Sequence, residues 1–150
     1  YTLSDTLSLH DALPISRARI CAQLNTPDVP DWILLLPPRE DVGSYYRMAD
    51  VFLSPSRQEG FCYALVEAAY SRTPVLASAI DAQRDLALPR GAFFPPRDAA
   101  ALSGALWRAL CESGTPEREA ALDQTKERVT RTYALSRWAE RVRAAYEEIL

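Results

Sequence analysis

Four short apolar runs, each bounded by proline, alternate with amphipathic stretches along most of this chain. They are "DWILLLPP" (31–38), "DVFLSPS" (50–56), "TPVLAS" (73–78) and "GAFFPP" (91–96). Each is too short for a core helix and lacks the apolar–polar alternation of a strand wetted on one face. Continuous apolar runs of this kind fit strands buried on both sides, as in a parallel sheet. The intervening segments supply the covering helices. "REDVGSYYRMA" (39–49) carries acids where a first turn favours them, and "GFCYALVEAAYS" (60–71) is rich in alanine. "DAQRDLAL" (81–88) stops at Pro89. "DAAALSGALWRALCES" (98–113) offers Asp98 as N-cap and Leu102, Leu106, Trp107 and Leu110 as a core face. "PEREAALDQTKERVTRTY" (116–133) and "LSRWAERVRAAYEEIL" (135–150) read as two further helices, and "SRARICAQL" (16–24) as a helix end stopped by Asn25 and Pro27. The fold class is α/β, a parallel sheet flanked by helices on both faces.

Composition excludes several functions. A net charge of −3 gives no basic footprint for nucleic acid. Cys21, Cys62 and Cys111 are odd in number and far apart, without a C-x-x-C pair or a His/Cys cluster. Neither a disulfide framework nor a zinc site is indicated, and a reducing, cytoplasmic location fits. No apolar run approaches the ~20 residues needed to span a bilayer. The first residues lack the layout of a signal peptide.

Residues 1–15 read as a non-native segment. "TLSLHDALPI" (6–15) is what ACTCTTTCCCTACACGACGCTCTTCCGATC encodes, which resembles a widely used DNA-sequencing adapter. His10, the only histidine, is therefore set aside as a base or ligand. Residues 16–150 are read as part of a larger protein, a partial ligand-binding domain whose natural start lies upstream.

Two glutamates, Glu59 and Glu67, stand in the stretch "RQEGFCYALVEAAYSRTPVLAS" (57–78). In a parallel α/β sheet, ligands collect beyond the carboxyl ends of strands, where helix N-termini point at them. A helix beginning near Gly60 would present free amides and its positive dipole end to a phosphate. Gly60, without a Cβ, would let the backbone approach closely. Glu59 at the mouth could accept from sugar hydroxyls, and Glu67 would lie about two turns further in, ~10–12 Å along the axis. The residue types alone leave a surface reading of both acids open.

"YYRMADVFLSPSRQEGFCYALVEAAYSRTPVLAS", continued by "AFFPPRDAAALSGALWRAL", resembles the donor-binding core of GT-B glycosyltransferases of family 4, the glycosyl transferases group 1. The resemblance covers roughly residues 16–150 and implies a partial Rossmann-like C-terminal half of a GT-B fold. It implies a nucleotide diphosphate-sugar donor and transfer to an acceptor hydroxyl with retention. Glu59 would contact the transferred sugar as the catalytic residue, and Glu67 the ribose. The amides of Gly60, Phe61, Cys62 and Tyr63 would hold sugar and diphosphate oxygens, and the loop at Pro37 and Pro38 the base. No cofactor or metal is expected, since family members generally need none and the chain has no D-x-D. The acceptor-binding domain would lie N-terminal to residue 16.

The chain departs from the family pattern at Cys62 and Arg72, where glycine is usual. Cys62 reads as a small buried residue and Arg72 as a solvated charge, with a phosphate contact left open. Ser54 and Ser56 lack a histidine base and make poor nucleophiles. The alternative functional class is a non-catalytic nucleotide-binding α/β module. A receiver-like signalling domain ranks low, because Lys126 sits in a helix rather than late in the sheet.

The resemblance also carries a stability expectation. Family sheets run 3-2-1-4-5-6, so "WILLLPP" would be the third strand, with strands two and one missing between it and "DVFLSPS". Each buried polar group left unpaired costs roughly 1–3 kcal/mol against a domain stability of about 5–15 kcal/mol. Unless "WILLLPP" moves over to pair with "DVFLSPS", the chain alone is therefore expected to melt without cooperativity in urea, to bind nucleotide sugars weakly in calorimetry and not to work as an enzyme by itself. A cooperative melt with micromolar binding contradicts this.

Overall fold

The computed structural model describes residues 18–148, so the adapter-like segment and His10 lie outside the described residues. The chain divides into two units, one ending at Asp41 and the other starting at Val42.

In the first unit, helix α1 (18–24) ends where the sequence requires. Asn25 takes a left-handed φ of 52°, and Thr26 N–H bonds back to the Cys21 carbonyl at 3.0 Å, a helix stop that asparagine tolerates. The expected strand at 31–38 does not form. A turn closes Ile33 N–H onto the Pro30 carbonyl (2.8 Å), and Trp32 and Leu34 are each 77% exposed. A parallel strand is held only by hydrogen-bonded neighbours, and residues 18–41 contain no other extended segment to supply one.

The second unit begins with α2 (Val42–Met48). Glu40 and Asp41, expected in its first turn, precede it. There follow β1 (Phe52–Ser54), α3 (Tyr63–Tyr70), β2 (Val75–Ser78) and the short α4 (Asp81–Arg84). A 3-10 turn (Arg90–Ala92) leads into β3 (Phe93–Phe94), then α5 (Ala99–Cys111), α6 (Pro116–Tyr133) and α7 (Leu135–Glu147). The three strands form a parallel sheet in the order β1-β2-β3.

The register fixes which residues face which helices. Phe52 pairs with Val75, Leu53 with Leu76 and Ser54 with Ala77. All four β2 residues are buried, and they alternate between two cores. Val75 and Ala77 join Leu65, Ala68 and Ala69 of α3 and Val129 of α6. Leu76 joins Phe94 of β3 and Ala105 and Ala109 of α5. Helices thus cover both faces, as the apolar runs require.

Helix starts follow their capping residues. Asp98 accepts from Ala101 N–H at 2.8 Å, and Thr115 accepts from Arg118 N–H at 3.3 Å with Pro116 in the first turn. Trp107, expected in the core, is instead 70% exposed. The buried face of α5 is set by Ala105 and Ala109, one turn apart, and Trp107 lies halfway between them on the opposite side. α7 has a pronounced apolar stripe but no buried residue.

Arg72 is not a freely solvated charge. Its Nη2 donates to Glu119 Oε2 (2.9 Å) and Asp123 Oδ2 (3.2 Å) of α6, and its Nε lies 2.7 Å from Asp123 Oδ1 in an ionic contact. The end of α3 is thereby tied to α6, although the pair is partly exposed and contributes modestly. The backbone there has φ 64°, a left-handed conformation that costs a non-glycine residue roughly 1–2 kcal/mol. Arg72→Gly and Arg72→Ala lose the same ion pairs, so their difference isolates this strain. In an enzyme carrying this domain whole, urea midpoints should place the glycine variant about 1 kcal/mol above the alanine variant; equal midpoints would show that the turn is unstrained.

Candidate functional site

β1 delivers the chain to the carboxyl edge of the sheet at Ser54, and residues 55–62 form the loop before α3. Ser54 shares a face with Phe52 and Ala77, toward α3. A chain of polar side chains begins there. Gln83 Nε2 donates to Ser54 Oγ at 2.8 Å, Ser54 Oγ lies 3.3 Å from Ser56 Oγ, and Ser56 Oγ donates to Glu59 Oε1 at 2.7 Å. Because Ser56 gives its proton to Glu59, Ser54 must be the donor between the two serines. The donors run one way, from the Gln83 amide to the Glu59 carboxyl group, and such ordered chains strengthen each member.

Gln83 is fully buried, and its Oε1 has no hydrogen-bond partner among the described residues. Nothing in "DAQR" distinguishes it from a solvated helix residue, and its role in holding the loop was not legible. Ser54 and Ser56 are thus positioning hydroxyls in this structure.

Glu59 sits in the loop, half-buried, with Oε1 held by Ser56. Gly60 is exposed, and a Cβ built there meets nothing within 4 Å, so neither packing nor backbone conformation of the protein demands glycine. Phe61 is exposed, its ring 4.7 Å from Tyr63 and 5.6 Å from Tyr133, both edge-on. Cys62 is buried, as its reading as a small packed residue expects, and Sγ lies 3.8 Å from Ser54 Oγ. It occupies the N-cap of α3 without capping it by a side-chain hydrogen bond; its carbonyl accepts from Leu65 N–H at 3.2 Å, and the first amides of the helix, at Tyr63 and Ala64, are left without a side-chain cap.

α3 starts at Tyr63, not near Gly60. Glu67 is therefore one turn into the helix, ~6 Å along the axis from Tyr63, and the longer helical spacing expected from Glu59 does not apply. Its Oε2 accepts from Tyr46 Oη of α2 at 3.1 Å. Together with Val66, Tyr70 and Tyr133 it lines a hollow of about 560 Å³ between α2, α3 and the end of α6. Thr73 Oγ1 anchors this corner by donating to the Tyr46 carbonyl at 2.6 Å. Glu59, Gly60, Phe61, Cys62, Tyr63 and Glu67 thus belong to one loop and helix start in the second unit. Pro37 and Pro38 belong to the first unit, where both are exposed in irregular chain.

Among the described residues, no cluster of three or more His, Cys, Asp or Glu could hold a metal. Nor, among the described residues, is any helix long and apolar enough to cross a membrane.

A family model described as glycosyl transferases group 1 matches residues 18–128. D-inositol 3-phosphate glycosyltransferase of Kineococcus radiotolerans is 37% identical over 83 residues, which cover 54% of this chain and 18% of that protein. The solved structure of sucrose-phosphate synthase from Thermosynechococcus elongatus matches with a TM-score of 0.74 and 26% identity, over 93% of this chain and 34% of that one. The chain thus spans well under half of either relative.

The Tyr46–Glu67 contact has a titration signature. Burial, with the adjacent Glu67 carboxylate adding to it, pushes the Tyr46 phenol up from 10.0 to about 12. The neutral phenol is favoured in the folded state, so its contribution to stability is complete below pH 10 and is lost as pH rises toward 12. In an enzyme carrying this domain whole, denaturation midpoints of the wild type should fall across that window more steeply than those of Tyr46→Phe. Parallel pH profiles would show that the phenol is not held in this way.

Proposed function

The chain belongs to the glycosyl transferases group 1, and from that membership we propose that its second unit binds a nucleotide diphosphate-sugar for transfer to an acceptor hydroxyl with retention of configuration. The observation that carries this reading is the uncapped start of α3 at the carboxyl end of β1, with a carboxyl group on either side of it. An uncapped helix start concentrates unpaired N–H groups and positive potential, which suit a diphosphate.

Glu59 is the catalytic residue of this proposal. Ser56 holds one of its oxygens, and the other is available to accept from hydroxyls of the sugar. The amides of Gly60, Phe61, Cys62 and Tyr63 receive sugar and diphosphate oxygens. As the sugar–phosphate bond breaks, negative charge grows on the departing diphosphate, and donors fixed in advance stabilise that charge most. Glu67 takes the ribose diol, with Tyr46 fixing its orientation at Oε2. Phe61, Tyr63 and Tyr133 give the mouth an apolar rim. A separate domain is proposed to bring the acceptor. The chemistry requires no metal or cofactor, and cytoplasmic placement agrees with the free cysteines.

Gly60 gives the sharpest test of donor binding. Since a Cβ there meets no protein atom, Gly60→Ala in an enzyme carrying this domain whole should leave the urea midpoint within ~0.5 kcal/mol of wild type. The same substitution should weaken nucleotide-sugar binding, because the added methyl occupies the ligand's approach. Unchanged affinity would remove the backbone contact from the proposal. In an enzyme carrying this domain with its acceptor-binding half, Glu59→Gln should lower kcat by about 10- to 100-fold, the scale of one charged hydrogen bond. Glu67→Ala should chiefly raise the donor KM. Normal kinetics in both variants would reject the assignment of the two glutamates.

A further inference from the structure

The sheet face opposite α3 carries a second feature at the carboxyl edge, which the donor reading leaves unused. The ends of β2 and β3 open onto a cavity of about 370 Å³, with Ser78 and Phe94 among the residues lining it. Arg57, from the loop after β1, and Arg97, just before α5, also line it, together with Asp98 and the first residue of α5.

Its polar groups are short of partners. Arg57 and Arg97 are exposed, and neither side chain makes a hydrogen bond or ion pair among the described residues. Ser78 is only 1% exposed. Its carbonyl accepts from Ile80 N–H, but its hydroxyl has no bond among the described residues. It faces the α5 side, since it alternates with Ala77 along β2. The Ser78 side chain lies against the cavity that the two arginines frame.

Asp98 is the one acid in the lining, and its Oδ1 accepts from Ala101 N–H at 2.8 Å as the helix cap. The balance is two guanidinium groups against one carboxylate, a net charge of about +1 before the positive end of α5 is added. Arg97 also holds φ 65°, where glycine would sit without strain.

We propose that this cavity binds a phosphate monoester dianion, either free or carried on a sugar. Arginine forks match phosphate oxygens in pairs. The Ser78 hydroxyl supplies a third donor from the cavity lining, so a tetrahedral anion with several oxygens uses the whole set better than a planar carboxylate does. The site stands on residues other than Glu59 and Glu67 and does not depend on their assignment.

The test follows amide chemical shifts of the chain during titration with inorganic phosphate and, separately, glucose 6-phosphate, at constant ionic strength. Saturable shifts are expected at Ser78, Arg97 and Ala99. Arg57→Gln and Arg97→Gln should each weaken binding about tenfold, Ser78→Ala by less, and Arg84→Gln, away from the cavity, not at all. Tighter binding of the sugar ester would identify an esterified ligand, and equal binding a free anion; either supports the site. The proposal is overturned if those amides show no saturable shift, if shifts are confined to Gly60–Tyr63, or if Arg84→Gln weakens binding as much as the cavity variants do.

Discussion

The four residues of β2 hold the second unit together. The strand is hydrogen-bonded to β1 on one side and to β3 on the other, and it is buried throughout. With a side-chain period of two, Val75 and Ala77 serve the α3–α6 core while Leu76 serves the α5 core. A slip of one residue would exchange the two sets and place Ser78 among the alanines of α3. The turn before β2 resists such a slip. Arg72 is tied to α6, Thr73 is bonded to the Tyr46 carbonyl, and Pro74 accepts from Phe52 N–H at 2.8 Å.

That register brings the ends of three parallel strands to one edge, and the two faces of the edge are used differently. Toward α3, Gln83, Ser54 and Ser56 hand hydrogen bonds along to Glu59 and hold the loop beneath an uncapped helix start. Toward α5, the helix is capped by Asp98, and positive charge comes from side chains rather than from open amides. The cost of the first arrangement is a buried glutamine with one unpartnered oxygen. A leucine at that position would bury more favourably but would leave Ser54 without its donor.

Much of this was legible, and the failures share a physical cause. Strands β1, β2 and β3 lie inside three of the four apolar runs, and Asp98, Asn25 and Pro116 mark helix ends where their chemistry demands. "WILLL" carries the same composition as a buried strand, but strand formation depends on neighbours that composition does not report. Trp107 shares helical spacing with leucines, yet small alanines on the other face allowed α5 to pack closer and turned the tryptophan outward. The pair Glu59 and Glu67 was visible as a pattern. The late start of α3, and the hydroxyls of Ser56 and Tyr46 that hold each carboxyl group, depend on tertiary packing and left no local signal.

The start of α3 and its two flanking glutamates are proposed to form a nucleotide-sugar site. A crystal structure of the chain with a bound nucleotide diphosphate-sugar tests it most directly. Sugar hydroxyls should lie within hydrogen-bond distance of Glu59, diphosphate oxygens on the amides of Gly60 through Tyr63, and the ribose diol on Glu67. A nucleotide seated elsewhere, with Glu59 and Glu67 still bonded only to Ser56 and Tyr46, would contradict it.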